Sequence, residues 1–184
     1  MVHYVNSQYG EFPLKKGVFM YSVGDYVVCG NKGVCRVDNI ASLDIAGPEP
    51  EDYYILKPVY SQGSTVYISI DSADEKLRAV LSKKEADKLV KSIPKVNVII
   101  VENDKQLEGE YKSCIRSNDA TDLVKLLKTI HQRREARFAA GRKETALDAK
   151  YMRMAGDYLF GELAISLNIP REEVEGYIDN TISK

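Results

Sequence analysis

The chain has no tryptophan, only two histidines and three cysteines among its 184 residues. Cys29, Cys35 and Cys114 are odd in number and show no CxxC spacing, which argues against a disulfide framework and against a zinc module. They read as small buried hydrophobes in a reducing cytoplasm. No apolar run approaches the roughly 20 residues needed to cross a bilayer. The N-terminus lacks the basic-then-apolar pattern of a signal peptide, so a cytoplasmic location is expected. Catalytic constellations are also missing. His3 lies in a stretch without clear period. His131 ends an apolar helical stripe with no Cys, Asp or Glu at metal-ligand spacing, and reads as a partly exposed helical histidine. There is no GxSxG, Walker loop or HExxH pattern. The pair of glycines in Gly30-Asn31-Lys32-Gly33 suits a hairpin loop better than a phosphate cradle. Neither an enzyme nor a metal, cofactor or small-molecule substrate is expected.

What is present falls into two kinds of periodicity. From Met20 to about residue 80 the apolar residues alternate. Val23 to Val37 reads as two short strands around a Gly-containing loop, with Cys35 and Val37 inward and Arg36 and Asp38 outward. Tyr53 to Lys57 and Thr65 to Ile70 are further strands. In the latter Val66, Ile68 and Ile70 face inward, and Thr65, Tyr67 and Ser69 outward. Four or five short strands this close together bury one face only by curling into a small barrel. Ala46-Gly47-Pro48-Glu49-Pro50-Glu51 is a turn-rich acidic loop. Residues 1–19 read as a flexible arm, an upstream start or an expression remnant.

After about residue 80 the period becomes helical. Ser82 opens a helix with Glu85 three positions on, a capping box, and Pro94 closes it. Val96 to Val101 is a short apolar run, expected as a buried connector. A helix over about 104–116 follows. Asn118 or Asp119 caps the next helix, whose stripe is Leu123, Leu126, Leu127 and Ile130, and Gly141 is its stop. Thr145, with Asp148 after it, caps a helix so apolar (Leu147, Tyr151, Ala155, Leu159, Leu163) that it belongs at the centre of a bundle. Pro170 suits the first turn of a last helix running to Ile178. The predicted class is therefore α+β: an arm at 1–19, a β-barrel at 20–80 and a helical bundle at 81–184.

Charge is distributed unevenly. Net charge is −1, yet residues 125–153 hold nine basic against three acidic side chains. The stripe of the helix after Asp119 is apolar for two turns and then cationic, through Arg133, Arg134 and Arg137, with Arg142 and Lys143 beyond. Helix-dipole complementarity explains one or two of these arginines. Five cations within residues 133–143 against the single Glu135 favour contact with phosphates, of the kind that positions DNA without reading its sequence. A second surface is the outward Tyr67, on a strand that suits a sheet edge and so β-augmentation by a partner, against the plain reading of a surface tyrosine.

These segments, taken in order, resemble a known family. Met20-Tyr21-Ser22-Val23-Gly24-Asp25-Tyr26-Val27-Val28, then Gly33-Val34, then Tyr53-Tyr54-Ile55-Leu56, resemble the opening of the CarD/CdnL bacterial transcription regulators, whose first module also occurs in transcription-repair coupling factor. Ser117-Asn118-Asp119 resembles the family's Ser-Gly-Asp helix boundary. Leu126-Leu127-Lys128 with Arg133-Arg134 resembles its basic helix, and Gly161-Glu162-Leu163-Ala164 its final helix signature. The resemblance implies a Tudor-like barrel that docks on the β subunit of RNA polymerase through an edge strand. It implies a helical domain on promoter DNA that stabilises the open complex. Polymerase-binding residues would then be Leu43, Thr65, Val66 and Tyr67. Leu43 and Tyr67 stand where members often carry arginine, which implies a more apolar docking surface. The family's tryptophan wedge has no counterpart here. Its place falls within Ile100 to Leu107, where Leu107 is the apolar substitute expected. Lys105, Lys112 and Arg116 join the DNA-facing set of Arg133, Arg134, Arg137, Arg142 and Lys143. The competing reading is a protein-only adaptor whose helices dimerise or bind a second protein, and the absent tryptophan favours it.

Overall fold

The computed structural model describes residues 20–45, 49–61 and 63–183. The expected arm at 1–19, with His3, and residues 46–48 of the acidic loop lie outside these. The chain divides into two compact units, Met1–Ala79 and Val80–Lys184. The class is α+β, with a barrel-like antiparallel sheet followed by helices.

The first unit contains β1 (Tyr26–Cys29), β2 (Gly33–Leu43), β3 (Glu51–Pro58), β4 (Val66–Ser69), a short helix α1 (Ala73–Lys76) and β5 (Leu77–Ala79). Strand order is β4-β3-β2-β1-β5, all antiparallel, so β4 and β5 are the two borders. The entry to β1 is a tight turn. Gly24 takes φ +98°, a left-handed value that glycine adopts without strain. Its N–H reaches the carbonyl of Val37, and Ser22 N–H donates to the Asp25 carboxylate at 2.8 Å. Tyr21 packs edge-on against Tyr54, whose hydroxyl accepts the Tyr21 N–H. The glycine pair expected to make a hairpin loop joins β1 to β2 through one 3-10 turn, Gly30–Lys32.

Cys35 and Val37 are buried and Arg36 and Asp38 exposed, as the alternation requires. The alternation then changes parity. Pairing between β2 and β3 slips between Val37 and Asn39, leaving Asp38 as the extra residue of a β-bulge. Beyond it Ile40 joins the main core with Tyr54, Leu56 and Ile68. Ala41 and Leu43 turn to the opposite face and pack with Tyr53 and Ile55 in a second cluster.

The second unit contains α2 (Lys83–Ser92), α3 (Asp104–Arg116), α4 (Ala120–Ala139), α5 (Ala146–Leu167) and α6 (Val174–Ile182). Ser82 closes a full capping box with Glu85. Of the two proposed caps of α4 it is Asp119 that serves, its carboxylate accepting the Thr121 N–H. Asn118 takes φ +58°, and Gly141, at φ +69°, follows the end of α4. Thr145 caps α5 through the Asp148 N–H. α5 packs against α2, α3, α4 and α6, the central position its apolar surface demands. Two expectations need correction. Pro170 stands before a 3-10 turn, so the last helix begins later, at Val174, and continues past Ile178 to Ile182. The run Val96 to Val101 is not a buried connector: Ile99 is buried, but Ile100 is 89% exposed.

Candidate functional site

The sheet border comes first. β4 pairs with β3 on one side and has no strand on the other among the described residues. Thr65 is exposed just before β4, Val66 leans on the main core, and Tyr67 points outward with 37% of its surface accessible. Tyr67 stands opposite Ile55, so it extends the second cluster towards the edge. Leu43 lies on that same face but is only 5% exposed, covered within the cluster. Its proposed contact role is therefore corrected. The bulge at Asp38 turns Leu43 away from the main core, but it packs with Ala41, Tyr53 and Ile55 on the opposite face, so its side chain offers almost no surface to a partner.

The other candidate surface is built on α4. Leu126 and Ile130 are fully buried, and one turn further the stripe meets Arg133. This arginine is not a free cation. Its Nη1 lies 3.3 Å from the Asp104 carboxylate at the start of α3, and its Nε 3.5 Å from Oδ1 of the fully buried Asp148 of α5. The second contact is an ion pair without a hydrogen bond, since Nε has no acceptor in bonding geometry. Asp148 also accepts the hydroxyls of Tyr111 at 2.9 Å and Thr145 at 2.8 Å. Burial, and then that carboxylate, push the Tyr111 hydroxyl pKa well up. For Arg133, burial alone lowers the pKa, but Asp148, Tyr111 and Asp104 together outweigh it and hold the charge. Arg133 therefore locks α3, α4 and α5 together, which corrects its assignment as a DNA-facing residue.

The remaining cations differ in their freedom. Arg137 donates through Nε to the Lys143 carbonyl at 2.7 Å, fixing the turn after α4. Lys112 pairs with Glu108 one turn back. Arg134, Arg142, Lys143, Lys105 and Arg116 form no ion pair among the described residues, and all but the half-buried Arg134 are exposed. Leu107, expected as the apolar wedge, is 2% exposed and belongs to the helical core. Within the same stretch Ile100 is the exposed apolar residue. It is held by its neighbour: the Ile99 N–H donates to Thr129 Oγ1 at 2.8 Å, one turn of α4 before Arg133. No signal of period distinguishes Ile100 from Ile99, so sequence alone did not select it.

Sequence reasoning also missed Lys128. Its ammonium donates to the carbonyls of Ile93, Pro94 and Val96 at 2.8 to 3.1 Å, capping the end of α2. It is thereby tied into the fold rather than offered to a ligand. No group of three or more His, Cys, Asp or Glu able to hold a metal occurs among the described residues. No helix among them is long and apolar enough to cross a membrane.

Residues 21–81 match the family model of the CarD-like/TRCF RID domain. The chain carries a CarD-like RNA polymerase-interacting domain. That domain, shared with TRCF, spans the β-rich unit and supports a transcription-related role with RNA polymerase as partner. No curated protein matches the chain. The helical unit lies beyond the CarD-like match apart from its first two residues, and its assignment rests on its own geometry.

Proposed function

We propose that this CarD-like chain is a non-enzymatic, cytoplasmic transcription regulator that bridges RNA polymerase and promoter DNA. The CarD-like unit docks on the polymerase β subunit by β-augmentation along β4, with Thr65, Val66 and Tyr67 at the contact. The helical unit contacts DNA near the bubble through Arg134, Arg142, Lys143, Lys105 and Arg116, with Ile100 as the apolar residue offered to the minor groove. Together these contacts modulate open-complex stability, and they associate the protein with the nucleoid through polymerase. The observation that carries this reading is the CarD-like match over a unit in which β4 is the last strand of the sheet among the described residues and bears the 37% exposed Tyr67.

The test is open-complex lifetime with purified polymerase at several salt concentrations, with and without the full chain. A lifetime changed by wild type, and left unchanged by Tyr67→Glu and by Arg134→Glu with Arg142→Glu, supports both contacts. No effect of the wild-type chain at any salt sinks the reading.

A second reading, a protein-only adaptor, draws support from Arg133, which is withdrawn into carboxylate pairs within the helical unit. A footprint of the polymerase–promoter complex that is identical with and without the chain favours the adaptor.

A further inference from the structure

A groove of about 550 Å³ lies between α4, α5 and α6 of the helical unit. Its apolar surface comes from Leu127 of α4, Met152 and Phe160 of α5, and Ile178 and Ile182 of α6. Charge is segregated across it. The α4 side carries His131 and Arg134, and the α6 side carries Glu175 and Asp179. Arg134, Glu175 and Asp179 form no ion pair among the described residues. Of the other charged side chains, Lys128 is held on backbone carbonyls and Arg171 pairs with Asp157, while Arg153 of α5 is exposed.

Gly156, in the interior of α5, also lines the groove. Glycine weakens a helix interior, so its place there calls for a reason. Nothing within the unit supplies one. Its φ is not positive, and no atom lies within 4 Å of where a Cβ would stand. What it provides is bare backbone facing an open groove, the feature that lets a second helix approach closely.

We propose that this groove docks an amphipathic helix of a protein partner. The partner's apolar face crosses Gly156, with carboxylates along the flank beside Arg134 and cations along the flank beside Glu175 and Asp179. The groove shares Arg134 with the DNA contacts proposed above, but its apolar surface and the acids of α6 suit a helix better than a phosphate backbone. It stands whether or not those contacts exist.

The experiment uses the full chain and a fluorescent synthetic helix of about four turns, with leucines at i, i+3, i+4 and i+7. One flank carries glutamates and the other lysines. A twin peptide keeps the leucines and the same glutamates and lysines but mixes both signs on each flank, so that neither flank matches one side of the groove. Fluorescence anisotropy should give saturable binding of the first peptide at least tenfold tighter than its twin. Gly156→Leu should weaken that peptide tenfold or more, and Arg134→Glu should erase the preference between twins, with circular dichroism unchanged in both variants. Equal affinities for the twins, or no saturable binding, overturns the proposal. So does a dimer of the chain that Gly156→Leu dissociates, or decanoate binding that Gly156→Leu blocks while neither peptide binds. Those last results assign the groove to a second copy or to a small amphiphile.

Discussion

Arg133 Nε lies 3.5 Å from Oδ1 of Asp148, a carboxylate with no exposure to solvent. The next residue along α4, Arg134, has no ion pair among the described residues. Two adjacent arginines thus belong to different tasks, one structural and one available to a ligand. Arg133→Ala leaves Asp148 buried with its charge less well compensated. We expect a loss of about 2 kcal/mol, less than for a fully buried pair because the arginine is partly exposed. That corresponds to a fall in Tm on the order of 10 °C for a unit of this size. Arg134→Ala should leave stability within about 0.5 kcal/mol of wild type. It should instead weaken DNA binding and reduce the slope of log K against log salt by about 0.9. Circular dichroism melts and salt-dependent DNA titrations of the two variants, side by side, check the division.

Ile100 carries the second prediction. At 89% exposure it contributes little to folding, so its substitutions read function directly. Ile100→Trp restores an aromatic to a segment that lacks one. If base stacking adds on the order of 1 kcal/mol, the open complex should live several times longer. Ile100→Asp should shorten it, since a carboxylate is repelled by the minor groove. Melting temperatures should be unchanged in both. A lifetime indifferent to either change removes Ile100 from the DNA contact.

Much of this arrangement was readable before any coordinates, and particular residues show where legibility stopped. The caps Ser82, Asp119 and Thr145 are local chemistry, each a short polar side chain set two or three residues before the N–H it accepts, and sequence spacing displays that directly. Asn118 before α4 takes φ +58°, a left-handed conformation that asparagine tolerates. Alternation at the start of β2 and in β4 was equally plain. The failures are non-local. The bulge at Asp38 reversed the facing of the residues after it, and no composition signal marks one extra residue in a strand. Leu107 and Ile100 are both apolar and four residues outside or inside the start of a helix. Only the packing of α3 on α4, and the hold of Thr129 on Ile99, decides that the leucine is covered and the isoleucine is not. Arg133 and Arg134 are likewise indistinguishable until the fold brings Asp104 and Asp148 beside the first.

The three cysteines give a prediction with a pH sign. All are buried free thiols. Burial, then the neighbouring Cys29, push the Cys35 thiol up to about 12, partly countered by Lys32. Burial is also the leading cause of the raised values of Cys29 and Cys114. The thiolate is the reactive form. An aromatic disulfide reagent at about pH 8 should therefore find almost no reactive thiol in the native chain and three after denaturation. A thiol kept neutral by the fold stabilises it fully below the ordinary value of 9.0, and that contribution is lost as pH rises towards 12. The denaturant midpoint should hold below pH 9 and decline above it. A rapidly labelled native thiol would contradict the packing around β1 and β2.

Gly156 separates folding from docking. Its helical conformation suits any L-residue, and a Cβ there meets no atom within 4 Å. Gly156→Ala should therefore stabilise the helical unit by about 0.5 to 1 kcal/mol, by restricting the unfolded chain and improving helix propensity. Gly109 in α3 has the same open surroundings but does not line the groove, so Gly109→Ala is the matched control and should stabilise by a similar amount. Urea denaturation of both variants measures the gain. The two should part company on the acidic-and-basic test helix: a methyl group at Gly156 lifts the partner backbone and weakens it several-fold, while one at Gly109 does nothing. Equal stabilisation with unequal binding means the bare backbone of α5 is kept for a partner. Equal binding by both variants means that Gly156 is an unoptimised helix position.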